Sequence, residues 1–267
     1  MGPELGLFVN LQKCELISSC GTCDVFDDFE PEIIKISNGD MTILGSAVGS
    51  KHFCEEWVSR KMVNKLPILI TKLTNLGHSQ SSFLLLLFCA SFCKMVWFIC
   101  TIPSDLISDA CEKFDSSVID CFEKLVGSGL SSDSLIQASL GTKSGGLGLR
   151  ATKLHSTAAY ISSFFMSKSL LETFLNTDIK NNHLETCAAV YNTLVSDTNQ
   201  LVSSSCPSTQ QVLSSQIDQH CFTSLFASSN AVHQARLLAC MMPHANAWIR
   251  CLPFQQKKYI TWNGQFP

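Results

Sequence analysis

The sequence predicts a mainly α-helical protein with a small β element at its N-terminus, an α+β chain. Two segments, residues 62–76 and 114–125, carry apolar residues at steps of three and four, the spacing of one helix face. Short runs rich in β-branched residues are concentrated in the first 50 residues instead, and such runs are typical of strands. We therefore expect strands before residue 50 and helices after residue 55.

The β element is predicted from the runs LFVNL (residues 7–11), EIIKI (32–36) and MTIL (41–44). Asn38 and Gly39 lie between the last two runs. Asn-Gly is the pair that a tight type I′ hairpin prefers, because both central residues need a positive φ. The sequence therefore predicts a hairpin that pairs residues 32–36 with residues 41–44.

The helical part is predicted from apolar stripes, caps and breakers. Pro67 should start or kink a helix, since proline cannot donate a backbone hydrogen bond. Ser104 and Asp105 suit the N-cap of a helix that ends near Val126, with Gly127 as its C-cap. Residues 127–148 and 197–211 are predicted to be loops, and further helices are predicted over residues 158–175, 184–195 and 227–242.

Composition excludes two classes of protein. The 267 residues are 46% hydrophobic and 15% charged, which is the opposite of a disordered chain. The formal net charge is −3, so the chain has no global positive field and is not a strongly basic nucleic-acid clamp.

Fourteen cysteines raise the question of compartment. The N-terminus has no basic region followed by an apolar run and a small-residue cleavage site, and the myristoylation pattern fails at Pro3 and Gly6. We expect an intracellular protein, cytoplasmic or nuclear and not secreted, whose thiols are reduced and buried.

Residues 83–102 form an apolar stretch of membrane-spanning length that only Lys94 interrupts. A charge near the centre of a span costs roughly 2.5–3.5 kcal/mol on the insertion scale. A small membrane protein anchored by this stretch is therefore one alternative. A buried helix of a soluble fold is the other.

Three groups of residues could carry chemistry, and each has a simpler interpretation. A zinc site could use cysteines and a histidine, although the tight second pair favours buried thiols; these residues are Cys14, Cys20, Cys23, His52 and Cys54. Asp27 and Asp28 after Phe26 could hold Mg²⁺, or form a solvated acidic turn. The glycines of SGGLGLR (residues 144–150) could cradle a phosphate, but a tight turn before a helix is the simpler explanation.

The remaining histidines show neither metal-ligand spacing nor a nucleophile partner, so they are predicted to lie on helix surfaces or in the core. They are His155, His183, His220, His233 and His244.

Five strings in order resemble one known family, the reverse transcriptases of non-LTR retrotransposons. They are GLFVNLQKCELI (residues 6–17), ILGSAVGS (43–50), the apolar region of residues 76–103, IQASLGTKSGGLGLR (136–150) and HQARLLACMMPHANAWIRCLP (233–253). The resemblance implies a palm remnant over residues 1–50, a helical thumb over residues 51–130 and a helical C-terminal extension over residues 131–267.

The resemblance also implies what is absent. In the family the Mg²⁺-binding Asp pair lies before the first of these strings, so Asp27 and Asp28 are on the wrong side of Lys13 to replace it. The resemblance therefore implies a catalytically inactive fragment of an RNA-directed DNA polymerase, with no cofactor of its own although the parent family uses Mg²⁺. Phe88 and Cys89 stand where the family's thumb is basic, which implies weak template contact.

Carried over position by position, Asn10 and Lys13 match residues near the incoming nucleotide, and Leu44 and Gly45 match the turn that supports the primer. The implied partner is RNA or an RNA–DNA hybrid, bound weakly. Possible nucleic-acid contacts are Lys51, Arg60, Lys61, Lys65, Lys72 and Arg150. A membrane anchor and a co-opted helical interaction module remain the alternatives.

Overall fold

The computed structural model describes residues 8, 10–17, 31–36, 39–177, 181–201 and 209–247. Helix accounts for 70% of the structure and strand for 6%, and the strands lie at the N-terminal end. This confirms the predicted mainly α class with a small β element.

The described strands form two separate pairs. Strand β1 (Glu15–Ile17) runs parallel to β2 (Ile34–Ile36), while β3 (Met41–Ile43) is antiparallel to β4 (Ser46–Val48). The hairpin predicted at Asn38 and Gly39 is therefore wrong, because β3 takes β4 as its partner and not β2. Asn38 itself lies outside the described residues. The hairpin turns at Leu44 and Gly45, whose φ angles of 50° and 85° are the two positive values that a type I′ turn requires.

Ten helices follow in the described part of the chain. They are α1 (Lys51–Lys61), α2 (Leu66–Thr74), α3 (Ser79–Leu85), α4 (Val96–Thr101), α5 (Ser108–Val126), α6 (Ser132–Ser139), α7 (Thr152–Leu175), α8 (Asn182–Thr193), α9 (Gln210–Ser228) and α10 (Ala231–Met241). Pro67 lies in the first turn of α2, as predicted, where its missing N–H would have had no helical partner.

The largest core buries the apolar stripes that the sequence indicated. Side chains of α2, α3, α4 and α5 meet there, and α4 also packs along α7. The buried residues include Ile70, Leu73, Phe83, Ile99, Phe114 and Val118. The segments around residues 62–76, 83–102 and 106–125 therefore bury one another, as expected of amphipathic helices that pack together.

The apolar stretch is not one continuous α-helix. Between α3 and α4 the chain passes through a π-helical turn, Leu86–Ala90, and then Ser91 leaves helical geometry. By length and composition the described segment Ser79–Thr101 is apolar enough to cross a membrane, with a mean hydropathy of 2.3, yet 39% of its most apolar window is buried in the fold. Burial in a core is the other environment that such a segment suits.

Helix α5 ends as predicted but begins differently. Gly127 adopts a left-handed conformation at its C-terminus, with φ 76°. Ser104 and Asp105 belong to a 3-10 turn and do not cap α5. The carboxylate of Glu55, from α1, accepts hydrogen bonds from Asp109 N at 2.9 Å and Ala110 N at 2.8 Å instead. A cap from a distant helix cannot be read from local sequence.

Two smaller cores hold the C-terminal half. One joins α7, α8 and α9, and the other joins α9 and α10 to Leu140. The single helix predicted over residues 227–242 is wrong, because Asn230 interrupts it: its side chain accepts from His233 N at 3.0 Å and starts a new helix. Helix α9, most of which lies before residue 227, was not predicted.

Candidate nucleic-acid interface

The β3–β4 hairpin presents an exposed apolar tip. Leu44 is 86% exposed and holds a φ of 50°, which is uncommon for a residue with a large side chain. Residues kept in such a conformation at a surface are found where the surrounding structure enforces it. Hydrogen bonds to α1 and α4 supply that constraint.

Two contacts connect the hairpin to helices. Trp57 of α1 donates from Nε1 to the carbonyl oxygen of Gly45 at 3.1 Å. On β4, the Ser46 and Thr101 hydroxyl oxygens lie 2.7 Å apart, and Ala47 is buried in the main core. The hairpin tip is therefore fixed relative to α1 and α4.

The base of the hairpin is fixed to the start of α1. The Asp40 carboxylate accepts from Ser50 N at 2.6 Å and from the Ser50 hydroxyl at 3.1 Å, while the Ser50 hydroxyl oxygen accepts from Phe53 N and caps α1. Gly49 between them has a φ of 143°, and a Cβ atom there would overlap the Asp40 side chain. Only glycine fits this position.

Trp57 also positions two cations. The guanidinium carbon of Arg60 lies 4.7 Å from the centroid of its ring, and Lys61 Nζ lies 4.6 Å from it. Both distances are typical of cation–π contacts. Through Trp57, the structure thus brings Arg60 and Lys61 together with the turn at Leu44 and Gly45. We call these five residues the hairpin–α1 surface.

Basic residues outnumber acidic ones over positions 51–80 of the chain. Lys51, Lys65 and Lys72 are all exposed on α1 or in the following turn and α2. Glu55 uses its carboxylate on the first amides of α5, so Glu56 is the acidic residue between positions 51 and 80 that remains exposed to solvent.

Asn10 and Lys13 form a separate local group. Lys13 closes the 3-10 turn Leu11–Lys13 by donating its backbone N–H to the Asn10 carbonyl at 3.0 Å, and both side chains are exposed. Among the hydrogen bonds between described residues, none joins these two residues to the turn at Leu44.

Arg150 belongs to a third group, in the interior. It donates to the Asp218 carboxylate at 2.8 Å, and the two side chains are 29% and 6% exposed. His155 Nε2 lies 3.4 Å from the other Asp218 oxygen, and neither ring nitrogen makes a well-formed hydrogen bond in the described structure. Burial lowers the pKa of His155. Burial alone would raise the pKa of Asp218, but His155 and Arg150 outweigh it and lower that pKa.

The glycine-rich loop between α6 and α7, residues 140–151, is a tight structural junction. The loop predicted over residues 127–148 is wrong in part, because α6 occupies residues 132–139. A Cβ atom on Gly146 would overlap the Leu140 carbonyl group, and Gly145 packs against α10 with a φ of 76°. Arg236 of α10 donates to Gln137 Oε1 at 3.2 Å, and Asn246 donates to the Thr142 carbonyl at 3.1 Å. Gly146 thus serves a tight local turn, which agrees with the tight-turn interpretation, and Gly145 lets this loop pack against α10, about 100 positions further along the chain.

The metal candidates lie largely outside the described residues, since Cys20, Cys23, Asp27 and Asp28 are among those not described. Within the described ranges, no cluster of three or more His, Cys, Asp or Glu side chains could hold a metal ion. Cys54 is buried, and burial raises its pKa to about 11.

The prediction for the histidines, a helix surface or a satisfied place in the core, holds for three of the five: His183 is half-buried on α8 with Nδ1 2.9 Å from Asp105, and His220 and His233 are exposed on α9 and α10. It is wrong for His155, which is buried without a hydrogen-bond partner for its ring in the described structure, and for His244, which lies in the turn after α10 with a φ of 67°.

Sequence reasoning missed Trp57, Gly49 and Glu55. For Trp57 a signal existed, because an aromatic residue three and four positions before Arg60 and Lys61 shares a helix face with them. For Gly49 and Glu55 the partners, Asp40 and the amides of α5, are known only once the fold is known.

A comparison of the chain with models of protein families, with curated proteins and with solved structures finds no match.

Proposed function

We propose that the chain binds an RNA–DNA hybrid weakly through the hairpin–α1 surface, as a remnant of a retrotransposon-type reverse transcriptase. One observation carries the proposal: Trp57 joins the exposed turn at Leu44 and Gly45 to the paired cations of Arg60 and Lys61. The resemblance assigns that turn to primer support, and the excess of basic residues over positions 51–80 makes those cations candidates for nucleic-acid contact.

The chemistry of the surface suits a phosphate backbone. Arg60 and Lys61 offer two adjacent cations whose positions are restricted by the ring, and Lys51, Lys65 and Lys72 extend the positive charge along the chain. Each neutralised phosphate contributes affinity through released counterions. The exposed Leu44 side chain supplies an apolar contact for a sugar or base edge.

Weak binding follows from the charge balance. Five basic residues form this region, and the whole chain carries a net charge of −3. Long-range attraction of a polyanion is therefore small, and affinity depends on the local contacts. The resemblance, in which the Asp pair precedes the Lys13 motif, favours binding without nucleotide transfer.

The test is a salt series of hybrid binding with two double variants. Arg60→Gln with Lys61→Gln should weaken binding of a fluorescent RNA–DNA hybrid at low salt and reduce the slope of log K against log salt by about 2, one unit for each lost phosphate contact. Lys113→Gln with Lys124→Gln is the matched control, because it removes the same charge from exposed positions on α5.

Three results would count against the proposal. Equal losses in both double variants would show a net-charge effect with no defined surface, and no binding by the unmodified chain at low salt would remove the function. Primer extension with Mg²⁺ by the purified chain would contradict binding without nucleotide transfer.

A further inference from the structure

Two cavities adjoin at the glycine-rich loop. The α10 cavity has a volume of about 300 Å³ and lies between α5, α6, the loop and α10. Its lining includes Phe122, Gln137, Gly145, Leu147, Arg236 and Cys240. The second cavity has a volume of about 310 Å³, and Phe122 and Leu147 line it too, so the two cavities lie side by side. Together they fall within the range of about 300–1,000 Å³ that is typical of small-molecule sites.

The second cavity is apolar, and we call it the α3–α5 cavity. It is lined mainly by Phe83 of α3, by Phe122, Leu125 and Val126 of α5, and by Leu147. The ring centroids of Phe83 and Phe122 lie 5.7 Å apart, and both side chains are largely buried. Transfer of a hydrocarbon from water to such surroundings is favourable. This cavity therefore suits the hydrocarbon part of a ligand.

The α10 cavity contains one cation, Arg236, which forms no ion pair with any residue that the structure describes. Arg236 donates to Gln137 Oε1 at 3.2 Å, and Gln137 Nε2 donates in turn to the Gly145 carbonyl at 3.3 Å. A guanidinium has five N–H donors, so most of them remain for a ligand. None of the described side chains that line the two cavities is acidic, so the positive charge is not neutralised there.

The glycine-rich loop adds backbone donors to the α10 cavity. Neither the Gly145 N–H nor the Leu147 N–H makes a hydrogen bond within the described part of the chain, although Gly145 is buried. The neighbouring N–H groups of Ser144, Gly146 and Gly148 all donate to backbone carbonyls. Buried N–H groups without an acceptor are rare in proteins. These donors, which are independent of Arg236, also indicate an anionic ligand.

We propose that the two cavities bind one molecule of a medium-chain carboxylate, a hydrocarbon chain with a single carboxylate head. The hydrocarbon chain lies in the α3–α5 cavity and passes Phe122 and Leu147, and the carboxylate accepts hydrogen bonds from Arg236 and the Gly145 N–H. A guanidinium pairs with a carboxylate through two parallel N–H···O bonds, which favours this head group over a neutral one. The site is separate from the hairpin–α1 surface and does not depend on nucleic-acid binding.

Isothermal titration calorimetry of the full chain with sodium decanoate, kept below its micelle-forming concentration, tests the site. The unmodified chain should bind one decanoate saturably. Arg236→Gln should weaken this binding about tenfold or more, because the carboxylate loses a hydrogen bond to a charged group. Lys113→Gln is the matched control, since it removes one positive charge from an exposed position on α5, and it should leave the affinity unchanged. Far-UV circular dichroism should be equal for the three chains.

Decanol separates the head group from the hydrocarbon chain, because it has the same chain length without the charge. Its affinity for the unmodified protein should be lower than that of decanoate. Arg236→Gln should leave the affinity for decanol unchanged. Equal affinities of decanol and decanoate for the unmodified protein would contradict recognition of the carboxylate.

A substitution in the α3–α5 cavity tests where the hydrocarbon chain lies. Val126→Gln should weaken decanoate and decanol by the same factor, about threefold or more, because apolar contact area is lost for both ligands. Val212→Gln is the matched control, since Val126 is 47% exposed on α5 and Val212 is 43% exposed on α9.

Three further outcomes would overturn the proposal. The unmodified chain could show no saturable binding of decanoate. Equal losses in Arg236→Gln and Lys113→Gln would show a net-charge effect without a defined site. Decanoate binding that neither Arg236→Gln nor Val126→Gln changes would place the carboxylate elsewhere on the molecule.

Discussion

Two junctions in the molecule each combine a carboxylate with a glycine. They differ in how they respond to pH. At the first, Asp40 holds the start of α1, and Gly49 makes room for it. At the second, Asp218 holds Arg150, and its carboxylate lies against Gly141 at the glycine-rich loop. The first carboxylate bonds to a backbone amide and a serine hydroxyl, while the second faces a guanidinium and a buried imidazole.

The difference in hydrogen-bond partners determines how each junction depends on pH. The donors at the first junction, a backbone amide and a hydroxyl, carry no charge that changes near neutral pH. An imidazole changes its charge near neutral pH, so the second junction is coupled to the proton concentration. The surface proposed to bind nucleic acid is thus attached to the junction whose hydrogen bonds involve no imidazole.

The largest expected effect comes from adding one carbon in the glycine-rich loop or at the first junction. Gly146→Ala should destabilise the protein by about 3 kcal/mol or more, because the new Cβ would overlap the Leu140 backbone, which cannot move like a flexible side chain. Gly49→Ala should cost about 1–3 kcal/mol from its strained φ alone and should detach the hairpin. Urea unfolding measures both.

Gly129→Ala is the control for these two variants. Its Cβ would have open space around it, apart from a Glu123 oxygen at 4.0 Å, so it should change stability by no more than about 0.5 kcal/mol. Equal stability of the Gly146→Ala variant and the control would mean that the loop does not approach Leu140 as described.

A smaller effect, on how the free energy of unfolding changes with pH, should distinguish the two junctions. Burial lowers the pKa of His155 from its usual 6.5, so the unfolded chain takes up a proton more readily than the folded chain. The stability that neutral His155 contributes is therefore complete above about pH 6.5 and is lost as the pH falls below it. The pKa of Asp218 is lowered from 3.8, so its contribution is lost only in stronger acid.

The measurement is urea unfolding at pH 7.5 and pH 5.5. His155→Gln should reduce the loss of stability between the two pH values, while His220→Gln, at an exposed position on α9, should leave that loss unchanged. An undiminished loss in His155→Gln would mean that another group causes the acid sensitivity.

The smallest expected effect concerns the proposed binding surface. Trp57→Phe keeps an aromatic ring beside Arg60 and Lys61 but removes the donor to Gly45. We expect a loss of hybrid affinity of about threefold to tenfold with an unchanged salt slope, since one hydrogen bond is worth about 1 kcal/mol and no charge is lost. Trp97→Phe, at an exposed position on α4, is the matched control. A changed salt slope would show that the indole ring itself, and not its hydrogen bond to Gly45, positions Arg60 and Lys61.

The sequence predicted features that depend on neighbours in the chain. The stripe of α5, the left-handed Gly127 and the start of α2 at Pro67 follow from spacing and local backbone chemistry. The partner of β3 does not follow from them, because a strong Asn-Gly signal competes with the turn at Leu44 and Gly45, which the packing of Trp57 and Ala47 favours.

The candidate site was predictable in part for the same reason. Arg60 and Lys61 could be chosen as basic residues of a helix, and the turn at Leu44 through resemblance. The cap that Glu55 provides for α5 joins residues more than 50 positions apart. The ion pair of Arg150 with Asp218 likewise joins α9 to a loop that precedes α7. Such pairs depend on tertiary packing, which local patterns do not contain.

The ten cysteines in the described part of the chain are all free thiols, and they differ widely in accessibility. Cys89 and Cys93 are exposed, whereas Cys54 and Cys111 lie in the main core, where burial raises their pKa to about 11 and about 12. A thiol reacts with alkylating reagents only as an exposed thiolate. Brief alkylation should therefore modify Cys89 and Cys93 first. Modification of Cys54 and Cys111 requires α1 and α5 to separate, so its rate measures how often the core opens.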